Sequence, residues 1–210
     1  LYDLLTNTRY GIGNFLDDTE DINVFNLYKI ARYCDAVDNN GYFVGIPDGL
    51  GGLEPRFSAN LLINQSDSAF EIINQISAIF NGNAFWANGV LDFYSDRPVK
   101  PAAIFNNSNV FDGYFNYQDV SKASNFNCVS VQFQDKNNNF TIKNEVIEDE
   151  DGIRKDGKLI REVNGRGATS RGQARRLAKY VLYSNKLERE IVYFKAGLEA
   201  LMVNVGDIIE

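Results

Sequence analysis

Histidine is absent from this chain of 210 residues. Its absence excludes the Ser/His/Asp and Cys/His nucleophilic mechanisms and every zinc site that needs an imidazole. The two cysteines, Cys34 and Cys128, form no Cys-x-x-Cys motif, so a cysteine-based zinc or iron–sulfur site is excluded as well. The sequence also lacks a signal peptide and any apolar run long enough to cross a bilayer. It therefore predicts no catalytic residues, no metal and no cofactor.

Basic residues are in the minority, with 21 Lys and Arg against 28 Asp and Glu and a net charge of −7. Tight binding to a phosphate backbone needs the opposite sign, so we expect no stable nucleic-acid binding. Hydrophobic residues make up 44% of the chain, which suits one large or two small globular domains. The first residue is Leu1 and not methionine, so we expect a fragment of a longer protein.

The first half of the chain is predicted to hold two helices and a hairpin. Apolar residues at helical spacing indicate helices over 22–34 and 66–80, and Ser68 and Glu71 have the spacing of a capping box in the second helix. Asn88-Gly89 lies between two apolar runs and predicts a hairpin, because both residues suit a type I′ turn. The remaining expectations are a surface loop over 45–55, a strand over 56–63 and a left-handed helix terminator at Gly82.

Strands dominate the second half. Alternating apolar residues predict a strand over 128–134, and residues 135–139 are typical of a turn into the next strand. Ser170 and Gln173 have capping-box spacing and open a helix that runs to about residue 184. We also expect strands over 110–117, 140–147, 158–163 and 190–196, a charged loop over 149–157, and a turn at 206–207 into a last strand.

These elements predict an α+β fold of β-rich domains, in which a barrel-like mixed sheet carries a few amphipathic helices. Asp96-Arg97-Pro98 ends the predicted hairpin and marks a boundary. We therefore expect two lobes, a helix and hairpin lobe over residues 1–98 and a barrel-like β lobe with one crossing helix over residues 99–210.

Two short motifs imitate ligand sites. Asp135-x-Asn137-x-Asn139 resembles the start of a calcium loop, but Phe140 stands where a glycine is needed and Val146 where a glutamate is needed. Gly165-x-Gly167-x-x-Ser170 resembles a dinucleotide fingerprint without its third glycine. We interpret the first motif as a hairpin turn and the second as the entry into a capped helix.

Acidic clusters leave two functional alternatives open. Without histidine, an enzyme would rely on paired carboxylates, so Asp92, Asp96 and the acidic runs at 17–21 and 148–151 are candidates for a cell-envelope glycosidase. Dense acidic runs in loops are usually solvated, which favours a non-catalytic role. The second alternative is a module that binds carbohydrates of the host surface.

A cationic stripe lies on the predicted last helix, where Arg171, Arg175 and Lys179 are four residues apart and Arg176 stands beside them. Such a stripe either faces solvent or contacts an acidic loop of a neighbouring subunit. The candidate subunit-interface residues are Arg171, Arg175, Arg176, Glu148, Asp149 and Asp151.

Eight motifs follow one another along the whole chain. They are Leu4-Leu5-Thr6-Asn7-x-Arg9-Tyr10-Gly11-Ile12-Gly13, Tyr33-Cys34-Asp35, Pro55-Arg56-Phe57-x-x-Asn60, Asp96-Arg97-Pro98, Asn109-Val110-x-Asp112-Gly113-x-Phe115-x-Tyr117, Val146-x-Glu148-Asp149, Thr169-Ser170-Arg171-Gly172-Gln173-Ala174-x-Arg176 and Gly206-Asp207-Ile208-Ile209. In this order they resemble the lambda-type tail-tip, host-specificity proteins of long-tailed phages.

The resemblance implies a structural role in a trimeric hub that closes the tail tube, beside other tail-tip and tape-measure proteins. It also implies a place in the virion tail, assembly in the host cytoplasm, and receptor contacts made by domains outside this chain. The family often carries histidine where this chain has Ser124-Asn125-Phe126-Asn127, so subunit contacts there are not carried over. An acidic lumen would let DNA pass without sticking, and we hypothesise that residues 148–151 face it.

Overall fold

The computed structural model describes residues 1–17, 20–63, 68–87, 89–119 and 125–210, and these residues form five α-helices and nine strands. The helices are α1 (Tyr2–Thr6), α2 (Val24–Asp35), α3 (Ala69–Ser77), α4 (Glu150–Asp156) and α5 (Arg171–Leu187). The strands are β1 (Ile46–Pro47), β2 (Leu53–Glu54), β3 (Gly82–Ala87), β4 (Val90–Ser95), β5 (Asn116–Asp119), β6 (Cys128–Asp135), β7 (Thr141–Glu148), β8 (Ile160–Asn164) and β9 (Glu190–Tyr193). The predicted α+β class is confirmed.

The strands form four separate sheets. Three are antiparallel pairs, β1 with β2, β3 with β4 and β5 with β9, and the fourth has the order β7-β6-β8. Strand β6 runs antiparallel to β7 and parallel to β8. The barrel-like expectation is wrong for the described strands, because closure would need a strand joining β7 to β8, whereas β5 and β9 pair with each other instead.

Two hydrophobic cores lie in different parts of the sequence. The first core is built by residues from α1, α2, α3 and the β3–β4 hairpin, and the second by residues from β6 and α5. The largest buried side chains are Leu5, Ile30, Leu91 and Phe93 in the first and Val129 and Val131 in the second. The cores fall on either side of residue 98, and the division into two lobes there stays a prediction.

Several local predictions are confirmed by hydrogen bonds. Ser68 and Glu71 form the capping box that opens α3. Ala87 pairs with Val90 across the predicted hairpin. Alternation along β6 buries one face against α5, as expected. Some residues used in the predictions lie outside the described part of the chain, namely Asp18, residues 66–67, Asn88 and Ser124.

The predicted helix terminator at Gly82 and the predicted loop over 149–157 are both wrong. The left-handed residue after α3 is Asn81, with φ of 54°, and Gly82 instead begins β3. Asparagine tolerates this conformation because its short amide side chain can form local hydrogen bonds. The charged segment 149–157 is not a loop but contains α4, because Glu150 in its first turn and Arg154 in its last turn complement the helix dipole.

Three predicted strands are also shorter or missing. Segment 56–63 forms no strand, because the N–H groups of Phe57 and Asn60 donate to Cys34 and Gly167 carbonyls instead of to a strand partner. Within the predicted strand over 110–117, residues Phe111–Gly113 form a 3₁₀ turn, and β5 begins only at Asn116. The last predicted strand is a single bridge between Ile209 and Ala103.

Residues 54–60 dock on the first turns of α5. This contact joins the two cores. The Arg176 guanidinium donates to the Glu54 carboxylate at 2.8 Å and to the backbone carbonyls of Pro55 and Arg56. Ser58 exchanges three hydrogen bonds with the Gln173 amide. The salt bridge is largely shielded from water, since the side chain of Glu54 is 9% exposed and that of Arg176 is 23% exposed.

Gly172 permits this close docking. A Cβ atom at this position would lie 2.3 Å from the Glu54 carboxylate oxygen and 2.8 Å from the Asp48 carbonyl oxygen, both shorter than any real contact. Only a residue without a side chain therefore fits at the second position of α5.

We expect Gly172→Ala to destabilise the chain by about 1–3 kcal/mol, because the added methyl group pushes Glu54 and the Asp48 backbone away from α5. At an open helix position the same change stabilises by about 1 kcal/mol, so the sign of the effect is informative. Denaturant unfolding measures it. Gly197→Ala, where no atom would lie within 4 Å of the new Cβ, is the control. Equal stability of the two variants would contradict the close docking.

Candidate functional site

Helix α5 presents the cationic stripe because its opposite side is apolar. The Ser170 hydroxyl accepts the Gln173 N–H at 3.1 Å and caps the helix, as the sequence predicts. The other half of the predicted capping box is replaced, since the Gln173 amide hydrogen-bonds to Ser58. Ala174, Ala178 and Leu182 are buried against β6, which leaves Arg171, Arg175 and Lys179 on the outer side.

Two arginines of this stripe, Arg171 and Arg175, share one carboxylate. Arg171 lies 2.8 Å and Arg175 3.0 Å from the Glu145 carboxylate, in the middle of β7. The Glu145 side chain is only 8% exposed, whereas both arginines are more than half exposed. A buried carboxylate is costly unless it is paired, so this three-residue cluster fixes α5 to the sheet.

The third predicted arginine and the acidic residues lie elsewhere. Arg176 forms the salt bridge with Glu54 that is described above. Glu148 accepts a hydrogen bond from Lys158 at 2.6 Å, and Asp149 accepts one from Lys186 at 2.8 Å. Asp151 lies 3.6 Å from Arg154 within α4. Each candidate interface residue thus has a partner inside the chain, and the predicted arginines and acids are not in contact with each other in the described part.

Hydrogen bonds from lysines depress the pKa values of several of these carboxyl groups. The bond from Lys158 lowers the pKa of Glu148, and the bond from Lys186 lowers the pKa of Asp149. The pKa of Asp135 is lowered by the hydrogen bond from Lys143 and then by the Asn137 N–H. These groups stay ionised at neutral pH and act as fixed negative charges in the fold.

The carboxylates proposed for a glycosidase are engaged in separate contacts. Asp92 accepts hydrogen bonds from the amides of Asn23 and Asn26, on the side of the hairpin that faces α2. Asp96 accepts the Tyr180 hydroxyl at 2.7 Å. Burial and this hydrogen bond raise the pKa of the Tyr180 hydroxyl, so it remains a donor at neutral pH. No second carboxyl group is among these partners of Asp92 and Asp96.

The calcium-like motif at 135–139 forms a 3₁₀ turn in which Asp135 pairs with Lys143 at 2.7 Å. Across the described ranges, no three His, Cys, Asp or Glu side chains gather as metal ligands would. Cys34 and Cys128 are free thiols, and burial raises the pKa of Cys34 to about 11. No helix in the described part of the chain has the length and apolar character to span a membrane.

Sequence reasoning missed the two acidic partners of the arginine groups, Glu54 and Glu145. Glu145 had a local signal, because it falls at the position of β7 whose side chain points to the helix-covered face opposite Val131. Glu54 had none, since its partner Arg176 is far away in sequence.

The ionisable side chains described above thus serve mainly to dock one element of the α+β fold on another. Residues 68–210 match the family described as putative phage tail protein, and the chain belongs to this family. It is 34% identical over its whole length to the tip attachment protein J of Escherichia phage SECphi27 and 27% identical over 99% of its length to the tip attachment protein J of Escherichia phage SECphi4. The chain spans 17% and 18% of the length of these relatives.

We expect the double variant Arg171→Gln with Arg175→Gln to lower Tm by at least about 3 °C, because it leaves the buried Glu145 carboxylate without its counter-charges. Arg166→Gln with Arg189→Gln is the matched control, since it removes two exposed arginines that have no ion pair in the described structure. Thermal unfolding measured by circular dichroism compares the two. Equal Tm values would show that the Glu145 cluster does not fix α5 to β7.

The depressed pKa of Asp135 predicts an acid dependence of stability. Because its folded pKa lies below its unfolded value of about 3.9, the carboxylate stabilises the fold above that pH, and this contribution is lost as the pH falls through the folded pKa. We expect the Asp135→Asn variant to have a lower free energy of unfolding than the parent at pH 7, and a free energy of unfolding close to that of the parent at about pH 2. Asp156→Asn, at an exposed residue of α4, should follow the parent at both pH values. Urea unfolding measures the difference, and a constant gap for Asp135→Asn would refute the account.

Proposed function

We propose that this chain is a structural part of a phage tail tip and not an enzyme. The observation that carries the proposal is the similarity to two tip attachment proteins over essentially the whole chain. The contacts made by the charged residues support it, because Arg171 and Arg175 fix α5 to β7 through Glu145, and Lys186 holds the end of α5 to Asp149 at the start of α4. A wall of a conduit needs this rigidity and needs no catalytic group.

In this proposal the chain belongs to the virion tail after assembly in the host cytoplasm. Three copies form a hub that closes the distal end of the tail tube, beside other tail-tip and tape-measure proteins. Receptor contacts belong to further domains of the longer protein. The net charge of −7 supports a surface past which DNA slides without stable binding.

The charged groups on α4 and α5 keep enough exposed surface to take part in subunit contacts. The side chains of Arg171 and Arg175 are 57% and 52% exposed, and their contacts with Glu145 leave other N–H donors free. The side chain of Asp151 is 79% exposed, and its contact with Arg154 is long, at 3.6 Å. We therefore keep the pairing of these arginines with an acidic group of a neighbouring subunit as the proposed interface, with Asp151 as its most accessible acid.

We expect the chain to associate as its concentration rises, toward three times its monomer mass of 23.7 kDa. Asp151→Lys should raise the dissociation constant about tenfold, since it places like charges across the proposed contact. Sedimentation equilibrium over a concentration series measures both.

Asp156→Lys is the control, because it makes the same charge change at the end of the same helix, away from Asp151. A chain that stays monomeric at every concentration, or an equal effect of both substitutions, would contradict the proposed interface. Unchanged unfolding midpoints in both variants would confirm that the comparison concerns association only.

A further inference from the structure

A cleft of about 430 Å³ lies beside the junction of the two cores and brings three arginines together. Arg56 belongs to the docked segment, Arg97 follows the β3–β4 hairpin, and Arg176 belongs to α5. All three side chains are half-buried. Such a concentration of positive charge is unexpected in a chain whose net charge is −7.

Two of these arginines have no carboxylate partner among the described residues. The guanidinium carbon of Arg56 lies 4.2 Å and that of Arg97 5.9 Å from the centroid of the Tyr33 ring. The Arg56 Nε donates to the Tyr33 carbonyl, and the Arg97 Nη1 donates to the Lys29 carbonyl at 3.2 Å. An aromatic ring and backbone carbonyls therefore orient both side chains without neutralising their charge.

The acidic residues near the cleft do not balance its charge. Arg176 is paired with Glu54, yet its Nε is buried and has no hydrogen-bond partner in the described structure. Asp96 also lines the cleft and is held by the Tyr180 hydroxyl. Three guanidinium groups thus face two carboxylates, which leaves an excess of positive charge in a partly dehydrated site.

We propose that this cleft binds an oxyanion, either a carboxylate or a phosphate, through Arg56 and Arg97. A guanidinium group has five N–H donors in a planar fork, and each of these two side chains uses only one of them for the backbone contact given above. The remaining donors match the paired oxygens of a carboxylate or a phosphate. The anion is either an acidic side chain of another polypeptide or a small free anion, because both offer the same oxygens.

The test uses the 210-residue chain and two probes at constant ionic strength, namely inorganic phosphate and a short peptide with two adjacent glutamates and blocked ends. Binding is followed by NMR through the side-chain N–H signals of the arginines. We expect Arg97→Gln and Arg56→Gln each to weaken binding at least about tenfold. Arg189→Gln, which removes an exposed arginine with no ion pair in the described structure, should bind as the parent does.

Arg97→Lys guards against a loss of folding, because it keeps the positive charge and loses the fork. It should fold as the parent does and still bind more weakly. Tighter binding of the peptide would assign the site to an acidic polypeptide segment, and tighter binding of phosphate would assign it to a free anion. Equal binding by the parent, Arg97→Gln and Arg97→Lys, or no binding of either probe at millimolar concentrations, would overturn the proposal.

Discussion

The docking of residues 54–60 on the first turns of α5 is the constraint on which the rest of the structure depends. It joins two hydrophobic cores that share no buried residue, and it does so with polar groups, among them the salt bridge between Glu54 and Arg176 and the amide contacts of Gln173. Polar contacts of this kind require exact geometry, because a buried donor or acceptor without its partner is costly. The glycine at position 172 and the cap at Ser170 follow from this requirement.

Charged side chains also connect the rest of α5 to neighbouring elements. Its outer arginines share Glu145, its end holds Asp149 through Lys186, and its inner face packs on β6. One helix therefore connects the docked segment, the three-stranded sheet and the start of α4.

Patterns within a few residues made part of this fold predictable. The capping box of Ser68 and Glu71, the alternation along β6 and the hairpin about Gly89 each depend on neighbours in sequence. Contacts between distant residues were not predictable in this way. Segment 56–63 has the composition of a strand, but its N–H groups are taken by Cys34 and Gly167, and no local signal connects it to them.

The candidate site shows the same limit. The spacing of Arg171 and Arg175 placed them correctly on one face of a helix. The carboxylate that holds them lies on another element, the strand predicted over 140–147, and nothing in the spacing connects the two. Segment 149–157 was expected to be a loop because it is rich in charged residues. The same charges stabilise a short helix, since the acids lie in its first turn and the basic residues in its last turn.

The central claim is that this chain forms a structural wall at the distal end of a phage tail. Electron cryomicroscopy of intact tails from the phage that encodes it tests the claim most directly. The account predicts that the fold fits density at the tip in copies repeated around the tube axis, with β6 and α5 packed as described. Density for this fold along the side of the tube, or its absence from purified tails, would contradict the account.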